Sequence, residues 1–214
     1  VNVAAGTFTE NVTVDKRIAL VGAGSGTDGT VVTASSAATS VVTVTGSGSA
    51  DSRLIVKDMR LLGATGASGI LVSNSAAVSK LTFDNIYASG NTDGISFGGT
   101  FAVTDAIISN STLSSNGNNG LKISSNVPNF DGLTVSNCTI ASNQWQGFSY
   151  NPNGSNVIGT NFSFTDTTFT NNCASNANSA GNHDLSFFGF KGNASLTNVT
   201  VTSNHTANGY GIVF

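Results

Sequence analysis

Apolar and polar residues alternate along most of the chain with a period of two, which is typical of β-strands. The alternation is clearest after four glycines, where the first and third following residues are apolar: GILV from Gly69, GISF from Gly94, GLKI from Gly120 and GFSY from Gly147. No stretch has the 3.6-residue period of an amphipathic helix. The pattern therefore predicts an all-β protein built from short strands.

The same short pattern returns at nearly constant intervals, which indicates an internal repeat. Each unit supplies about three short strands, and consecutive units can stack by parallel backbone pairing about 4.8 Å apart. The sequence thus predicts a parallel β-solenoid of about seven or eight coils of roughly 25–27 residues, with one long insert in the coil starting at Gly147. The repeats begin at Gly69, Gly94, Gly120, Gly147, Leu185 and Gly211, in steps of 25, 26, 27, 38 and 26 residues.

Two polar columns run through the repeats at a fixed separation of six residues. Asp58 fits the first column from an earlier unit, whereas Ala64 interrupts the second. We expect both columns to lie at bends, because Asn tolerates the left-handed conformation and a buried amide can bond the amide of the next coil and the adjacent backbone. The first column is Asn85, Asn110, Asn137, Asp166 and Asn198, and the second is Asn91, Asn116, Asn143, Asn172 and Asn204.

The repeat resembles the right-handed parallel β-helix superfamily, which has the pectin-lyase-like fold. The opening stretch VAAGTFTENVTVDKRIALVGAGSGTDGTVVTA is similar to the first coils of pectin methylesterases and related β-helices. The resemblance covers essentially the whole chain, but it is specific for fold rather than for function. It implies one parallel β-helix domain over residues 1–214, which we expect to be part of a longer chain or of an end-to-end assembly.

Composition restricts the classes of partner. Only 9% of residues are charged, the net charge is −3, and no basic patch is present, so nucleic acid is not expected to bind. No apolar run approaches the ~20 residues that span a bilayer, so we expect no membrane insertion. The sequence starts at Val1 without a Met or a signal segment, so we expect a mature or trimmed product. The low charge and the abundance of Thr and Asn favour a secreted or cell-surface protein.

The cysteines and the sequons add little chemistry. Cys138 and Cys173 could form one disulfide or remain two free buried thiols, and both alternatives stay open. They lack the paired histidines of a zinc site, and we expect no metal and no cofactor. Eight Asn-x-Ser/Thr sequons occur, which we attribute to the abundance of these residues.

The NTDG stretch at residues 91–94 is similar to the one that presents a catalytic aspartate in some pectin-cleaving hydrolases. If the chain is an enzyme, its catalytic candidates are Asp93, Lys122 one coil on and Asp184, predicted to lie in the Asp93 column three coils on. However, the Asp-Asp, Gly-His-Gly and Arg-Ile-Lys parts of the polygalacturonase pattern are missing. Asn118 and Asn119 stand where acids are needed, and an amide cannot transfer the catalytic proton. We therefore expect no catalytic residue, and Asp93 to be a corner residue.

Aromatic residues near the long insert suggest a surface that binds sugar rings by stacking. The predicted glycan-binding patch consists of Trp145, Tyr150, Phe187 and Tyr210. In the alternative interpretation Trp145 fills a corner and Tyr150 belongs to the core. We expect a non-catalytic extracellular or surface module with a structural or adhesive role, which binds polysaccharide or self-associates. The alternative is a lyase, glycoside hydrolase or esterase acting on polysaccharide.

Overall fold

The computed structural model describes residues 1–150, 158–173, 183–187, 190–203 and 210–214. Within these ranges, every regular element is a β-strand, as the period-two pattern predicted. None of the described residues belongs to a helix that is long and apolar enough to cross a membrane.

The strands form two sheets. The first contains β1 (Gly6–Thr9), β3 (Ala19–Val21), β4 (Thr30–Thr33), β6 (Leu54–Leu62), β8 (Val78–Ser89), β10 (Val103–Ser109), β11 (Thr112–Ser114), β13 (Asn129–Ser136), β14 (Thr139–Ala141), β16 (Ile158–Thr165), β17 (Thr168–Thr170), β19 (Ala194–Thr197) and β20 (Thr200–Thr202). The second contains β2 (Val12–Val14), β5 (Val42–Val44), β7 (Ser68–Val72), β9 (Asp93–Phe97), β12 (Leu121–Ile123), β15 (Phe148–Tyr150), β18 (His183–Ser186) and β21 (Tyr210–Val213).

Each strand pairs in parallel with the equivalent strand of the next coil. In the second sheet, for example, Ile95 pairs with Leu121 and Leu121 pairs with Phe148. Parallel neighbours that are separated by a full repeat in sequence require the chain to wind around one axis. The protein is therefore a parallel β-solenoid of about seven turns, which confirms the predicted fold.

The core lies inside the solenoid and consists of side chains stacked in columns. Ile95, Leu121 and Phe148 form one column and are fully buried. Toward the last coils the columns become aromatic, and the Phe148 ring lies 5.1 Å from Phe164 and 5.3 Å from Phe187 between centroids. Each such side chain contributes about 1.5–3 kcal/mol of burial free energy. The core therefore holds the coils in register.

The first polar column forms a row of left-handed bends. Its described members share a positive backbone φ between 49° and 59°. Asn and Asp adopt this conformation more readily than other residues with a side chain, which explains why they recur here. The bend prediction is thus confirmed for Asp58, Asn85, Asn110, Asn137, Asp166 and Asn198.

The second polar column forms a buried amide ladder inside the solenoid. The Asn116 side chain accepts hydrogen bonds from the backbone N–H and side-chain amide of Asn91, and it donates to Asn143 and to the Ala88 carbonyl. The pattern continues from Asn143 to Asn172. The predicted amide-to-amide bonding is therefore confirmed from Asn91 to Asn172, and Asn204 lies outside the described residues. In the earliest coil the backbone N–H of Ala64 donates to Asn91.

A third row of left-handed bends was not predicted. Lys80, Asp105, Gly132 and Asn161 have φ between 54° and 75° and interrupt the first sheet at equivalent positions. Four residue types occupy the four positions, so the sequence offers no repeating signal. Arg53 stabilises this row, because its guanidinium donates to both the carboxylate and the backbone carbonyl of Asp105.

Both cysteines are free and buried, which decides between the two alternatives left open by the sequence. Burial raises the pKa of the Cys138 thiol to about 11 and that of Cys173 to about 12. Both thiols are therefore neutral at ordinary pH and act as small apolar side chains.

Candidate functional site

Asp93 lies at the corner where the chain enters β9, and its carboxylate is almost wholly buried, with 6% of the side chain exposed. Oδ1 accepts two hydrogen bonds from Asn119 in the next coil, 3.1 Å from the backbone N–H and 2.8 Å from the side-chain amide. Asp93 therefore satisfies a backbone donor at the corner. This position agrees with the expectation that it is a corner residue.

The second oxygen of Asp93 faces the outer surface of the second sheet. Lys122 extends along that surface, and its Nζ lies 3.5 Å from Oδ2 of Asp93. The Lys122 side chain is 37% exposed, so this is a long ion pair open to solvent. Ser96 and Ser149 flank Lys122 in register, and both are buried. The surface thus presents one cation, and the two serines that flank it are largely shielded from solvent.

Asp184 does not lie in the Asp93 column, and the predicted register is wrong by one residue in this coil. Leu185 pairs with Phe148 on one side and with Ile212 on the other. Asp184 therefore follows the glycine column that contains Gly147, while His183 takes the place predicted for Asp184. The coil lacks the glycine that marks its neighbours, and this left the register undetermined in the sequence.

The Asp184 carboxylate points to the interior and ends the described part of the amide ladder. It is fully buried, and its Oδ1 accepts bonds of 3.0 Å from the backbone N–H and the side-chain amide of Asn172. The structure therefore does not bring Asp184 together with Asp93 and Lys122 on the outer face. The three predicted catalytic candidates do not form one cluster.

The predicted aromatic patch is divided between the surface and the core. Trp145 lies on the surface and is 47% exposed, whereas Tyr150 and Phe187 are buried. The prediction that Phe187 projects outward is wrong, because the one-residue shift turns its side chain inward onto Phe148. Tyr150 packs in the core, as the alternative interpretation held. The side chain of Tyr210 lies outside what the structure describes.

Trp145 lies at the corner that precedes the second sheet. Its backbone N–H donates to the carbonyl of Asn118 in the previous coil, and the neighbouring Gln144 donates in the same way to Asn116. The backbone of this corner is thus fixed while the indole ring remains accessible. Within the described ranges, no group of three or more His, Cys, Asp or Glu side chains is placed to hold a metal ion.

Comparison with known protein families finds a match to one family model. The family model described as the right handed beta helix region matches residues 18–190. No curated protein is a significant match to the sequence. Among solved structures, the chain is similar to the A-module of the mannuronan C-5 epimerase AlgE4 of Azotobacter vinelandii, with 11% identity, a TM-score of 0.35, and coverage of 100% of this chain and 88% of that one. At that level the structural likeness carries no argument about function.

Proposed function

Because the chain belongs to the right-handed β-helix family, we propose that it is a non-catalytic extracellular or cell-surface module with a structural or adhesive role. The observation that carries this proposal is the hydrogen bonding of its two candidate acids. Asp93 and Asp184 each direct one oxygen to the backbone N–H and the side-chain amide of an asparagine. These are the bonds that the asparagines of the amide ladder make to one another, so both carboxylates act as ladder groups.

General acid–base catalysis requires a proton-transferring group within hydrogen-bond reach of the substrate. A carboxylate inside the solenoid, such as that of Asp184, does not meet this requirement. Asp93 has one oxygen directed outward, but its neighbour there is the ammonium of Lys122. A pair of carboxylates on either side of a glycosidic bond, about 5–9.5 Å apart, is therefore not formed by these two residues.

An activity screen on pectin, alginate and related glycans tests the proposal, with Asp93→Asn and Lys122→Ala compared to the wild type. We expect no turnover above background for any of the three proteins. Activity in the wild type that falls at least tenfold in both variants, with unchanged unfolding, would overturn the proposal and support the alternative of a polysaccharide-active enzyme.

Polysaccharide is the ligand that we propose for this module, with Trp145 as the contact. An exposed indole ring can stack on the apolar face of a sugar ring. The fixed corner backbone lowers the conformational cost of holding the ring in place. Gln144, whose side chain is exposed, precedes Trp145 in sequence, and Asn118 lies beside Trp145 in the previous coil. Their side-chain amides can bond sugar hydroxyls.

Binding to a panel of immobilised polysaccharides tests this contact. Trp145→Ala is expected to weaken binding at least tenfold, because the stacking surface is removed while the corner backbone bonds remain. Ile158→Ala is a matched control, because Ile158 is also 47% exposed but carries no ring. Equal binding by wild type and Trp145→Ala would exclude Trp145 as the contact.

Association of two copies of this chain stays a prediction. It can be tested on an exposed apolar surface near Phe214. Phe214 is 73% exposed and stacks on Phe187 at 5.3 Å, and the neighbouring Ile212 is 39% exposed. Exposed apolar groups of this size favour contact with a second copy. Sedimentation of the wild type and of Phe214→Ser over a wide concentration range is the measurement, and a wild-type monomer at all concentrations would exclude it.

A further inference from the structure

Arg60 lies on the outer face of the first sheet, where its side chain is half-buried. Its guanidinium carbon lies 3.7 Å from the centre of the Tyr87 ring, which is in register on β8. The described strands also contain three lysines, and each forms an ion pair with an aspartate: Lys57, Lys80 and Lys122. Arg60 forms no such pair with any carboxylate of the described residues. Its charge is therefore stacked on a ring but not neutralised by an acid.

Three consecutive coils position the Arg60 guanidinium. The loop at residues 22–29 belongs to the first of them, and its Ser25 carbonyl accepts a long hydrogen bond of 3.4 Å from Nε of Arg60. The hydroxyl group of Ser25 donates in turn to Oδ1 of Asn85, which lies two coils further on. The guanidinium is thus held between this loop and the Tyr87 ring before any ligand arrives, which lowers the conformational cost of binding.

Tyr87 is itself held by hydroxyl groups. Ser89 on the same strand pairs in register with Ser114 of the next coil, and both lie beside the phenol. Hydrogen bonding by Ser114, followed by that of Ser89 and the charge of Arg60, lowers the pKa of Tyr87 against the opposing effect of burial. The hydroxyl group of Tyr87 is therefore engaged with its neighbours, and the ring serves as a platform for Arg60.

Stacking leaves the hydrogen-bonding edge of a guanidinium available. The N–H groups of arginine lie in the plane of the guanidinium, so a ring beneath that plane covers one face and not the edge. The edge matches the two oxygens of a carboxylate or a sulfate. The net charge of −3 is spread along the solenoid, and exposed charges more than about 8 Å away are largely screened at physiological ionic strength. Local geometry therefore decides what Arg60 binds.

We propose that Arg60 binds the anionic group, carboxylate or sulfate, of an acidic polysaccharide, with Tyr87 as its platform. This inference rests on the proposed function as a polysaccharide-binding module, and it adds a second contact and a charge on the ligand. Arg60 belongs to the first sheet, whereas Trp145 lies at the corner before the second. The outward column continues in register from Tyr87 to Thr112, so a sugar chain laid across the coils meets a hydroxyl group beyond the cation.

Binding of the full chain to polygalacturonate, dextran sulfate and uncharged dextran at physiological ionic strength is the test. We expect the wild type to bind at least one of the two acidic polymers, and the polymer that binds distinguishes carboxylate from sulfate. Arg60→Gln should weaken this binding about tenfold or more, because the ligand loses a charged hydrogen-bond donor. Lys57→Gln is the matched control, since it removes the same charge from the same strand and Lys57 already pairs with Asp58.

Arg60→Lys keeps the charge and an aliphatic stem over the ring but lacks the planar fork. It is expected to bind more weakly than the wild type and more tightly than Arg60→Gln. Urea unfolding of each variant shows whether the solenoid is intact. A purely structural Arg60 would lower the urea midpoint in Arg60→Gln and leave binding by the folded variants unchanged.

Three results would overturn the Arg60 site: a wild type that binds neither acidic polymer, equal binding by Arg60→Gln and the wild type, or equal losses in Arg60→Gln and Lys57→Gln. Trp145→Ala distinguishes these results from a failure of the contact proposed above. A loss in Trp145→Ala without a loss in Arg60→Gln rejects the Arg60 site alone. The reverse pattern supports the Arg60 site and rejects Trp145 as the contact.

Discussion

Asn172 donates two hydrogen bonds to Oδ1 of Asp184, one from its backbone N–H and one from its side-chain amide, and both are 3.0 Å long. In the preceding coils the acceptor of the same two donors is an asparagine, as in the bonds from Asn143 to Asn172. A carboxylate thus continues a ladder that is otherwise made of amides. An asparagine and an aspartate can both fill this position, because each offers a side-chain oxygen that accepts hydrogen bonds from the two buried donors.

Replacement of Asp184 tests whether its hydrogen bonds to Asn172 stabilise the fold. Asp184→Ala leaves two buried donors of Asn172 without this acceptor, and each is expected to lower the free energy of unfolding by roughly 1–3 kcal/mol. Asp184→Asn keeps an oxygen at the same place and should lose less. Urea unfolding of the three proteins is the measurement. Identical midpoints for Asp184→Ala and the wild type would show that these bonds do not stabilise the ladder.

The bends and the amide ladder could be predicted from the sequence because single residue types recur at fixed spacing. Asn110 and Asn116 illustrate this: one needs a left-handed φ, the other needs two donors and two acceptors, and asparagine suits both. The bends at Lys80 and Asp105 could not be predicted, because the residue type differs from coil to coil at these positions. The bend at Asp105 is stabilised instead by Arg53, which comes from another coil.

The register around Asp184 shows a different limit. A period of two leaves the face of a strand undefined unless a marker fixes the phase, and this coil has no glycine before Leu185. The one-residue shift moved both Asp184 and Phe187 to the wrong side of the sheet. The pairing of Leu185 with Phe148 fixes which residues of this strand point inward, and this pairing is known only from the tertiary structure.

The sequons acquire a physical reason from the bends. Asn110, Asn137, Asn161 and Asn198 are all left-handed bend residues, and each is followed by an inward residue and then by an outward Ser or Thr on the strand segment after the bend. An Asn-x-Ser/Thr sequence at these four positions is therefore a product of the repeat geometry. Abundance of the residues alone, as inferred from composition, does not explain their regular placement.

The hydroxyl group of Tyr150 is buried and has no hydrogen-bond partner among the described residues. Its ring packs edge-on against Phe162 and Phe190. Burial raises the pKa of Tyr150 to about 12. A buried hydroxyl group without a partner costs roughly 1–3 kcal/mol, so Tyr150→Phe should raise the free energy of unfolding by up to that amount.

Thermal and urea unfolding of Tyr150→Phe provide the measurement. Tyr150→Leu serves as the control, because it removes the hydroxyl group together with the ring contacts and should lower stability. A Tyr150→Phe protein that is less stable than the wild type would mean that the hydroxyl group has a favourable role in the fold.

Asp105 makes stability depend on acid pH. Burial opposes ionisation, but hydrogen bonds from Lys80 and Arg53 and the charges of these residues outweigh it, so the pKa of Asp105 lies below its usual value of 3.8. The ionised carboxylate is therefore favoured by folding. Its contribution is fully present above the pKa of the unfolded chain and is lost as the pH falls through the lowered pKa of the folded protein.

We expect the urea midpoint of the wild type to fall as the pH is lowered from about 5 to about 2, because this is the range in which an aspartate that ionises more readily in the folded state takes up its proton. Asp105→Asn should be less stable at pH 5 and should show a shallower fall. Asp131 contributes a slope of the same sign, because hydrogen bonds from Thr160 and Asn161 lower its pKa, so the variant retains part of the dependence. The same slope in Asp105→Asn and in the wild type would show that the contacts of Asp105 with Arg53 and Lys80 do not couple its protonation to folding.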